Sequence, residues 1–591
     1  MTAPIVRRAG SPADADGPAV MGSGLPPDRD GRKSTTSRWL HVLGGLLLLA
    51  IGALPSLLIG FPLAESGARD QDVALRWLSG FSRALADGVL WPRWLIDDQF
   101  GFGSPAFFFY PPLAYLVASI LSFLPGMNAD MAIRLGMALF AAIGFGLAWR
   151  LVHLLGGGRQ APLLAGLYVA TPWPAFVDQI ARGAFAEYAT IAVLPLVGMV
   201  LLVPPARTPM RIVATGVAYA LLILTHLPVA VLAAAVGLLY LLLTRDPARI
   251  GCFLAGMLLA GALAAPLLIP AMTMQGQISA RFWKLAGAGA ASELLFGGHN
   301  YGRAMTVLKY ACFAVFSLTL VMLKPWRASG RTLPAIMLGL CLLGTTILTW
   351  PAWKYLPLLP LVQLPVRLFA VIPLFWIAAL AVQGGIGPGW RRIVVNLLPA
   401  AMTLLLTSGV LAAFTTHRDI EFHVLPSDQR VQYALRQPLL NAPEYLPAGA
   451  DREGRTRIVV GTPMLDRSGW PQDLPRVIDG AGSVIETRTA NGFTLHVDCP
   501  ARCRVLSRQF WFPGWRASGG SLHADPATGL ILIDPDVAHG VVTVVRVHTW
   551  QELAGFAMSL AAIVACVVMT GISLHPRSRV GQPDAGPQRV V

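Results

Sequence analysis

The sequence predicts an all-α polytopic membrane domain, with about 12–13 transmembrane helices, and a β-rich extracytoplasmic domain near the C-terminus. Three observations lead to this fold class. The 591 residues are 55% hydrophobic and only 13% charged, with a mean hydropathy of +0.59. A soluble chain of this size needs more charge to cover its surface, so lipid is the expected solvent for most of it. Long apolar runs recur, and a polar block interrupts them late in the chain.

A helix that crosses the bilayer needs about 20 mostly apolar residues. Runs that meet or approach this length lie at 39–61, 106–124, 131–154, 161–178, 184–203, 211–244, 249–271, 304–323, 332–352, 364–384, 391–414 and 549–573. Thr225, His226 and Pro228 interrupt the run 211–244, which is either one long helix or two short ones. Basic residues in both tails favour cytoplasmic ends and hence an even number of crossings.

These runs divide the chain into five parts. Residues 1–37 are polar and are predicted to be a disordered cytoplasmic tail. The membrane domain is predicted at 38–414, with an extracytoplasmic loop at 62–105, here called loop one. A periplasmic β-rich domain follows at 415–548, then a final transmembrane helix at 549–573 and a cytoplasmic tail at 574–591.

The polar block contains short β-branched or aromatic segments separated by Gly, Pro and Asp. This pattern is typical of a small antiparallel β domain. The predicted strands are RIVVGTPML, FTLHVDC, CRVLSRQFWF, GLILIDP and GVVTVVRVHTW. Within the third strand and just after it, Trp511, Phe512 and Trp515 are either core residues or a surface on which a sugar stacks; the core interpretation is favoured.

Cys499 and Cys503 stand apart from the other cysteines, which lie in apolar runs. A zinc site needs further ligands at suitable spacing, and only His496 is near. A local disulfide is the favoured alternative, and it places this region in an oxidising compartment outside the cytoplasm.

The formal net charge of +15 does not indicate nucleic acid as a partner. Lys and Arg residues mostly flank apolar runs or lie in the tails, where the positive-inside rule and anionic headgroups favour them. A basic stripe interleaved with aromatic residues, as nucleic-acid binding requires, is not seen in the sequence. The membrane is therefore the expected partner.

Loop one begins with a pattern that predicts an amphipathic helix at the membrane interface. Its carboxylates Asp70 and Asp72 come early, and large apolar residues recur at helical spacing: Trp77, Phe81, Leu85 and Leu90. Such a helix would turn its Asp and Arg residues toward water.

Several short motifs occur in a fixed order along the chain. They are Asp70 followed by LWPRW (90–94) and GSPAFFFYPPLAYL (103–116), RGAFAE (182–187), Thr225-His226, QLPVR (363–367) and FPGW (512–515). In this order they resemble the bacterial GT-C type membrane glycosyltransferases. More closely, they are similar to the branch of 6-pyruvoyl-tetrahydropterin-synthase-related membrane proteins and their YfhO-like relatives. The resemblance extends from about residue 40 to 573.

The resemblance implies an inverting glycosyltransferase of the bacterial inner membrane. Its donor would be a sugar linked to polyprenyl phosphate, and its acceptor a cell-envelope glycan or lipid on the extracytoplasmic face. An acceptor hydroxyl loses its proton as it attacks the anomeric carbon, which calls for a carboxylate base. The departing lipid phosphate calls for Arg or Lys.

By position in the motif, Asp70 matches the family's acidic residue of loop one and is the predicted general base. The family often has His four residues later, where this chain has Ala74. Asp72 is the reserve candidate for the base. Glu187 is a further catalytic candidate, for acceptor or metal binding, and its alternative role is a salt bridge with Arg182.

Substrate binding is predicted for Arg182, His226, Arg281, Lys284 and Arg367. Arg367 would hold the lipid phosphate or, alternatively, extend to headgroups at the membrane surface. Arg281 and Lys284, in the second outer loop, would serve the same purpose as Arg367. His226 is more often a structural histidine than a ligand at such a break. No cofactor is certain, and a divalent metal is possible, although no acidic cluster has convincing ligand spacing.

The alternative function is a non-catalytic transporter or assembly factor for envelope polysaccharide, built on the same scaffold. A secondary transporter is disfavoured because those proteins usually carry intramembrane charges in matching halves. Here the acidic residues gather outside the apolar runs.

Overall fold

The computed structural model confirms a mostly helical chain with a β domain near its C-terminus. It describes residues 30–58, 70–279, 290–297, 303–323, 332–356, 358–383, 427–437, 439–440, 442–451, 455–459 and 462–574, with single positions at 401, 403 and 405. Much of the predicted run 391–414, the predicted tail up to residue 29 and the tail 575–591 lie outside these ranges.

Fifteen helices are labelled here, and shorter helical turns are named by their residues. They are α1 Asp30–Leu58, α2 Asp70–Ala86, α3 Leu113–Ser122, α4 Ala129–Leu154, α5 Ala161–Val169, α6 Phe185–Leu202, α7 Thr208–Thr225, α8 Leu227–Thr244, α9 Pro247–Leu263, α10 Ala265–Thr273, α11 Arg303–Leu323, α12 Leu333–Gly344, α13 Leu368–Gln383, α14 Ser427–Arg436 and α15 Trp550–Leu574. A π-helix, Trp173–Ala181, lies between α5 and α6. Helix α1 begins at Asp30, inside the segment predicted to be a disordered tail.

The chain is a multi-pass membrane protein. Within the described ranges, seven helices are long and apolar enough to cross a membrane, or eight if the bent pair α9–α10 is one span. Three shorter apolar helices, including α3 and α12, account for further predicted runs. The prediction of about 12–13 spans counts apolar runs over the whole chain, and part of that apolar sequence lies outside the described ranges. Several of the described runs are divided by breaks.

Proline explains two of these breaks. The run 211–244 forms two helices that meet at His226, with Pro228 in the first turn of α8. The run 249–271 bends by 78° at Ala264, with Pro266 in the first turn of α10. Proline lacks an N–H and fits the first turn of a helix but not its interior, so a new helix starts at each position.

The β domain contains eleven strands in three antiparallel sheets, as far as it is described. The strands are β1 Leu439–Leu440, β2 Thr456–Val459, β3 Thr462–Asp466, β4 Arg476–Asp479, β5 Ser483–Thr489, β6 Gly492–Asp498, β7 Arg504–Phe510, β8 Trp515–Ser518, β9 Gly520–Ala524, β10 Leu530–Pro535 and β11 His539–Arg546. The orders are β1-β3-β2, β4-β7-β10-β9 and β5-β6-β11-β8. Alternate buried residues of the two four-stranded sheets share one hydrophobic core.

The predicted disulfide is confirmed, since Cys499 and Cys503 are bonded between the end of β6 and the start of β7. All five predicted strand segments contain strands. Five strands were not predicted, namely β1, β4, β5, β8 and β9. All five lie at sheet edges, and β1 is only two residues long, so their apolar pattern is weak.

The amphipathic helix of loop one is confirmed as α2, but the predicted exposure of two of its charged residues is wrong. Helix α2 packs against α3, α4 and α14. Asp72 and Arg76 are buried rather than turned to water, and Arg76 lies 3.4 Å from Asp98. Leu90 is past the end of the helix and is 87% exposed.

Loop one also holds the β domain against the membrane domain. The side chain of Gln509, on β7, accepts a hydrogen bond from Trp94 Nε1 at 3.1 Å and donates to the backbone oxygen of Gly101 at 2.9 Å. Phe512 and Trp515 are buried and pack against Trp94. The core interpretation of these two aromatic residues is therefore correct.

A charged cluster is enclosed where loop one, the β domain and α15 meet. Glu552 lies 3.0 Å from Arg93 and 2.6 Å from Arg546, and both Glu552 and Arg93 are fully buried. Burial lowers the pKa of Arg93 to about 10, although the negative charge of Glu552 raises it. The guanidinium therefore stays charged at neutral pH. Glu552 also accepts a hydrogen bond from the backbone N–H of Thr549 at 2.8 Å, which caps the start of α15.

Candidate functional site

Five of the residues singled out in the sequence come together at the end of the helical bundle that faces the β domain. Glu187 Oε2 lies 3.2 Å from Arg182 and 3.2 Å from Arg367. Arg182 also reaches Asp70 at 3.0 Å. His226 Nε2 is 4.0 Å from the same oxygen of Glu187. These residues are separated by up to almost 300 positions in the chain, so this grouping is a product of the fold.

The RGAFAE motif positions its two charged residues by a turn. Arg182 ends the π-helix, and Glu187 lies in the first turn of α6, where the positive end of the helix dipole favours a carboxylate. Gly183 joins them with a backbone φ of +67°, a conformation that residues other than glycine rarely adopt. A Cβ atom at this glycine would lie 2.3 Å from Cβ of Gln71, the residue after Asp70. The glycine therefore allows the turn to approach α2.

Replacing Gly183 by Ala is expected to lower the free energy of unfolding by about 1–3 kcal/mol, because the alanine is strained at positive φ and collides with Gln71. The measurement is the thermal unfolding midpoint of the purified full chain. Gly146→Ala is the control, since nothing lies within 4 Å of a Cβ at that position in α4. Equal midpoints for the Gly183 variant and wild type would contradict this account of the turn.

The two other members reach the cluster from breaks between helices. His226 is an extended residue between α7 and α8, and it is buried. Arg367 ends the short 3₁₀ turn Pro365–Arg367 that precedes α13, and it also donates to the backbone oxygen of Val362. Chain breaks inside a membrane protein are tolerated where they line a cavity or are covered by protein.

The two carboxylates of loop one differ in their access to solvent. The side chain of Asp70 is 44% exposed at the start of α2. Asp72, the reserve candidate, is fully buried two residues later. Solvent can thus reach Asp70, whereas Asp72 is covered. Ala74 is also buried, so the position at which the family that the motifs resemble often has His faces the protein interior.

Asp178 joins the cluster, although the sequence analysis did not single it out. Its carboxylate lies 3.1 Å from Arg182, one turn earlier in the π-helix. Asp178 and Glu187 border a small cavity that is otherwise lined mainly by apolar and aromatic residues, among them Tyr168, Ile191, Leu194 and Pro373. Within the described residues, Glu187 Oε1 and His226 Nδ1 have no hydrogen-bond partner. Buried polar atoms of this kind are uncommon and often mark functional sites.

Aromatic residues and one further carboxyl group surround Asp70. Burial raises the pKa of Tyr110, and the negative charge of Asp70 raises it further. Tyr445 packs against Trp77 with ring centroids 5.4 Å apart. Its neighbour Glu444 has its pKa raised to about 7 by burial and by Asp70. Glu444 was also missed, because nothing in the local sequence shows that the β domain reaches the bundle here.

Arg281 and Lys284 lie outside the described residues. In the described part of the chain, no three His, Cys, Asp or Glu residues are grouped so that they could hold a metal ion.

No family model matches the chain, and no curated protein matches it. Among solved structures, the chain is similar to ArnT from Cupriavidus metallidurans bound to undecaprenyl phosphate, with 15% identity, a TM-score of 0.37, and coverage of 68% of this chain and 75% of that chain. It is also similar to the arabinofuranosyltransferase AftD from Mycobacteria, with 18% identity and a TM-score of 0.39. That match covers 67% of this chain and 27% of AftD. At these TM-scores the similarities say nothing about what this chain binds or transforms.

Proposed function

We propose that the chain is an inverting membrane glycosyltransferase of the bacterial inner membrane. It moves a sugar from a polyprenyl-phosphate-linked donor to a cell-envelope glycan or lipid on the extracytoplasmic face. The observation that supports this proposal is the meeting of an accessible carboxylate, Asp70, with two guanidinium groups, Arg182 and Arg367, where the bundle meets the β domain. A transfer that releases a lipid phosphate needs these groups close together.

In this reaction Asp70 is the general base. It accepts the proton of an acceptor hydroxyl while the hydroxyl oxygen forms a bond to the anomeric carbon. The bond from that carbon to the phosphate oxygen breaks, and the electron pair leaves with polyprenyl phosphate. Arg182 lies 3.0 Å from Asp70, and this ion pair holds the carboxylate in position.

The ion pairs of the cluster decide how the phosphate binds. Both guanidinium groups already have a carboxylate partner, and Glu187 is shared by Arg182 and Arg367. A phosphate therefore has to replace a carboxylate as the partner of a guanidinium. Arg367 contacts one carboxylate, whereas Arg182 contacts three. Replacing the carboxylate by the phosphate therefore breaks fewer ion pairs at Arg367 than at Arg182. Arg281 and Lys284 are proposed to add positive charge near the phosphate.

Replacing Arg367 by Met is expected to weaken binding of polyprenyl phosphate at least about tenfold, since a hydrogen bond between charged groups contributes about 1.5–3 kcal/mol. Binding is measured by native mass spectrometry of the full chain in lipid nanodiscs. Arg504→Met is the matched control, because Arg504 pairs with Asp534 on the exposed surface of the β domain.

A second ligand keeps this test informative if the Arg367 variant unfolds. Wild-type protein should bind polyprenyl phosphate more tightly than the uncharged polyprenol of the same length. Equal binding of the two lipids, or unchanged phosphate binding by the Arg367 variant, would overturn the proposed phosphate site. Movement of an unmodified substrate across vesicles, without any transfer, would instead support the transporter alternative.

A further inference from the structure

Loop one has an apolar tip, residues 89–91, directly after the end of α2. The helix ends in a Schellman motif, in which the backbone N–H of Val89 donates to the oxygen of Ala84 at 2.9 Å. In the same motif the N–H of Gly88 donates to the oxygen of Leu85 at 3.0 Å. Gly88 has the left-handed φ of +86° that this motif requires. The backbone therefore leaves the helix in one fixed direction, and the tip is an ordered part of loop one.

The tip packs against α15, the last helix that can span the membrane. The ring centroid of Trp91 lies 5.8 Å from that of Phe556, and the two rings meet edge to face. The guanidinium of Arg93 lies over both rings, 5.0 Å from the centroid of Trp91 and 5.7 Å from that of Phe556. Arg93 is the fully buried partner of Glu552 on α15. Buried contacts therefore hold the tip against the second turn of this helix.

The position of Phe556 along α15 gives the depth of the tip in the bilayer. The apolar span of this helix begins at Trp550, which is 66% exposed and is of a residue type enriched at membrane–water interfaces. Phe556 follows six positions later, about 9 Å along the helix axis. Leu553 and Leu560, about one turn to either side of Phe556, are exposed and therefore face lipid. Segments that lie in the interface bury their apolar side chains about 5–10 Å into the boundary between headgroups and acyl chains. The tip lies at that depth.

Leu90 is the residue of the tip that the protein leaves uncovered, since its side chain is 87% exposed. One exposed leucine on a water-facing surface needs no explanation. At the depth of Phe556, however, the surrounding solvent is lipid, and an exposed leucine there is covered by acyl chains. The chain just before the tip is polar, and Asp87 accepts a hydrogen bond at 3.2 Å from the backbone N–H of Ala490, in the turn between β5 and β6. Loop one thus passes from the β domain to an apolar tip within three residues.

We propose that the tip of loop one is a lipid-binding surface, which inserts Leu90 among the acyl chains of the leaflet next to the β domain. The partner is the hydrocarbon of bilayer lipids of any headgroup, because the side chain of Leu90 has no polar atom that could select one. The insertion fixes the end of α2 at the bilayer, and Asp70 lies at the other end of this helix, about 24 Å away along its axis. This lipid contact does not require the proposed transfer reaction.

The contact is tested by photocrosslinking of the purified full chain in nanodiscs of phosphatidylethanolamine and phosphatidylglycerol. The crosslinking amino acid benzoylphenylalanine replaces Leu90, Leu553 or Ile485, one at a time. Leu553 faces lipid on α15, and Ile485 is 68% exposed on β5, so they serve as the positive and the negative control. After irradiation, intact mass spectrometry should find lipid adducts at positions 90 and 553 and severalfold less adduct at position 485.

Three outcomes of this experiment would overturn the proposal. The first is a lipid adduct at position 553 without one at position 90. The second is a crosslink from position 90 to another copy of the chain, which would assign the tip to a protein interface. The third is a loss of contrast between the controls, because equal adducts at 485 and 553 would show that the label reports exposure and not depth.

A second measurement determines the depth of the tip without any crosslink. The fluorescent amino acid dansylalanine replaces Leu90 or Ile485, in nanodiscs whose lipids carry bromine either near the glycerol end or near the methyl end of the acyl chain. Because the tip lies close to the headgroup boundary, bromine near the glycerol end should quench the label at position 90 more strongly than bromine near the methyl end. Neither lipid should quench the label at position 485. Quenching at position 90 no greater than at 485 would overturn the insertion, and stronger quenching by the deeper bromine would contradict the depth given by Phe556.

Discussion

Replacing Glu552 by Gln is expected to destabilise the protein by about 3–5 kcal/mol, because it leaves the buried guanidinium groups of Arg93 and Arg546 without their counter-charge. Arg93 has no access to water, and its side chain donates to the backbone oxygen of Pro266. The glutamine would also weaken the cap on Thr549 N at the start of α15. Because the cluster joins loop one, the β domain and the last helix, we expect these parts to separate at lower temperature.

The measurement is the thermal unfolding midpoint of the detergent-purified protein, together with protease access to loop one. Asp473→Asn is the matched control, since Asp473 forms an ion pair with Arg476 on the protein surface. Exposed pairs of this kind contribute little to stability. A midpoint for Glu552→Gln equal to that of wild type would show that the buried cluster does not hold the junction together.

The sequence predicted the fold class and the β domain because those depend on composition and on local periodicity. It did not reveal the bend at Ala264 or the change to a π-helix at Trp173, since apolar length alone does not show where a helix breaks. The packing of α2 against other helices could not be predicted from the sequence either. Spacing correctly identified Trp77 and Phe81 as buried residues of its apolar face. The burial of Asp72 and Arg76 was not predicted, and α2 packs partly against α14, more than 300 residues away.

Part of the candidate site could be predicted from sequence motifs. Asp70, Arg182, Glu187, His226 and Arg367 were selected one by one from their local patterns, and the structure brings all five together. Their chemical roles stay predictions. Asp178 and Glu444 were missed because each acquires its significance from a neighbour distant in the chain. The sequence signal for Asp178 was its position one helical turn before Arg182, which was available but not used.

Replacing Asp70 by Asn is expected to lower the rate of sugar transfer by about 10²–10⁴-fold, the usual contribution of a general base. Asparagine has nearly the same shape and can still accept a hydrogen bond from Arg182, so folding and membrane insertion should be preserved. Asp97→Asn provides a matched control within loop one. The side chain of Asp97 is 40% exposed and pairs with Arg83, much as Asp70 is 44% exposed and pairs with Arg182.

The most direct test is the release of polyprenyl phosphate by purified wild-type, Asp70→Asn and Asp97→Asn proteins in nanodiscs. Each is given a panel of polyprenyl-phosphate-linked sugars with a cell-envelope extract as the source of acceptors. We predict that wild type and Asp97→Asn release the lipid phosphate from at least one donor and that Asp70→Asn does not. Release by Asp70→Asn at the wild-type rate would contradict the role of Asp70, and the absence of release by wild type from every donor would contradict the proposed reaction.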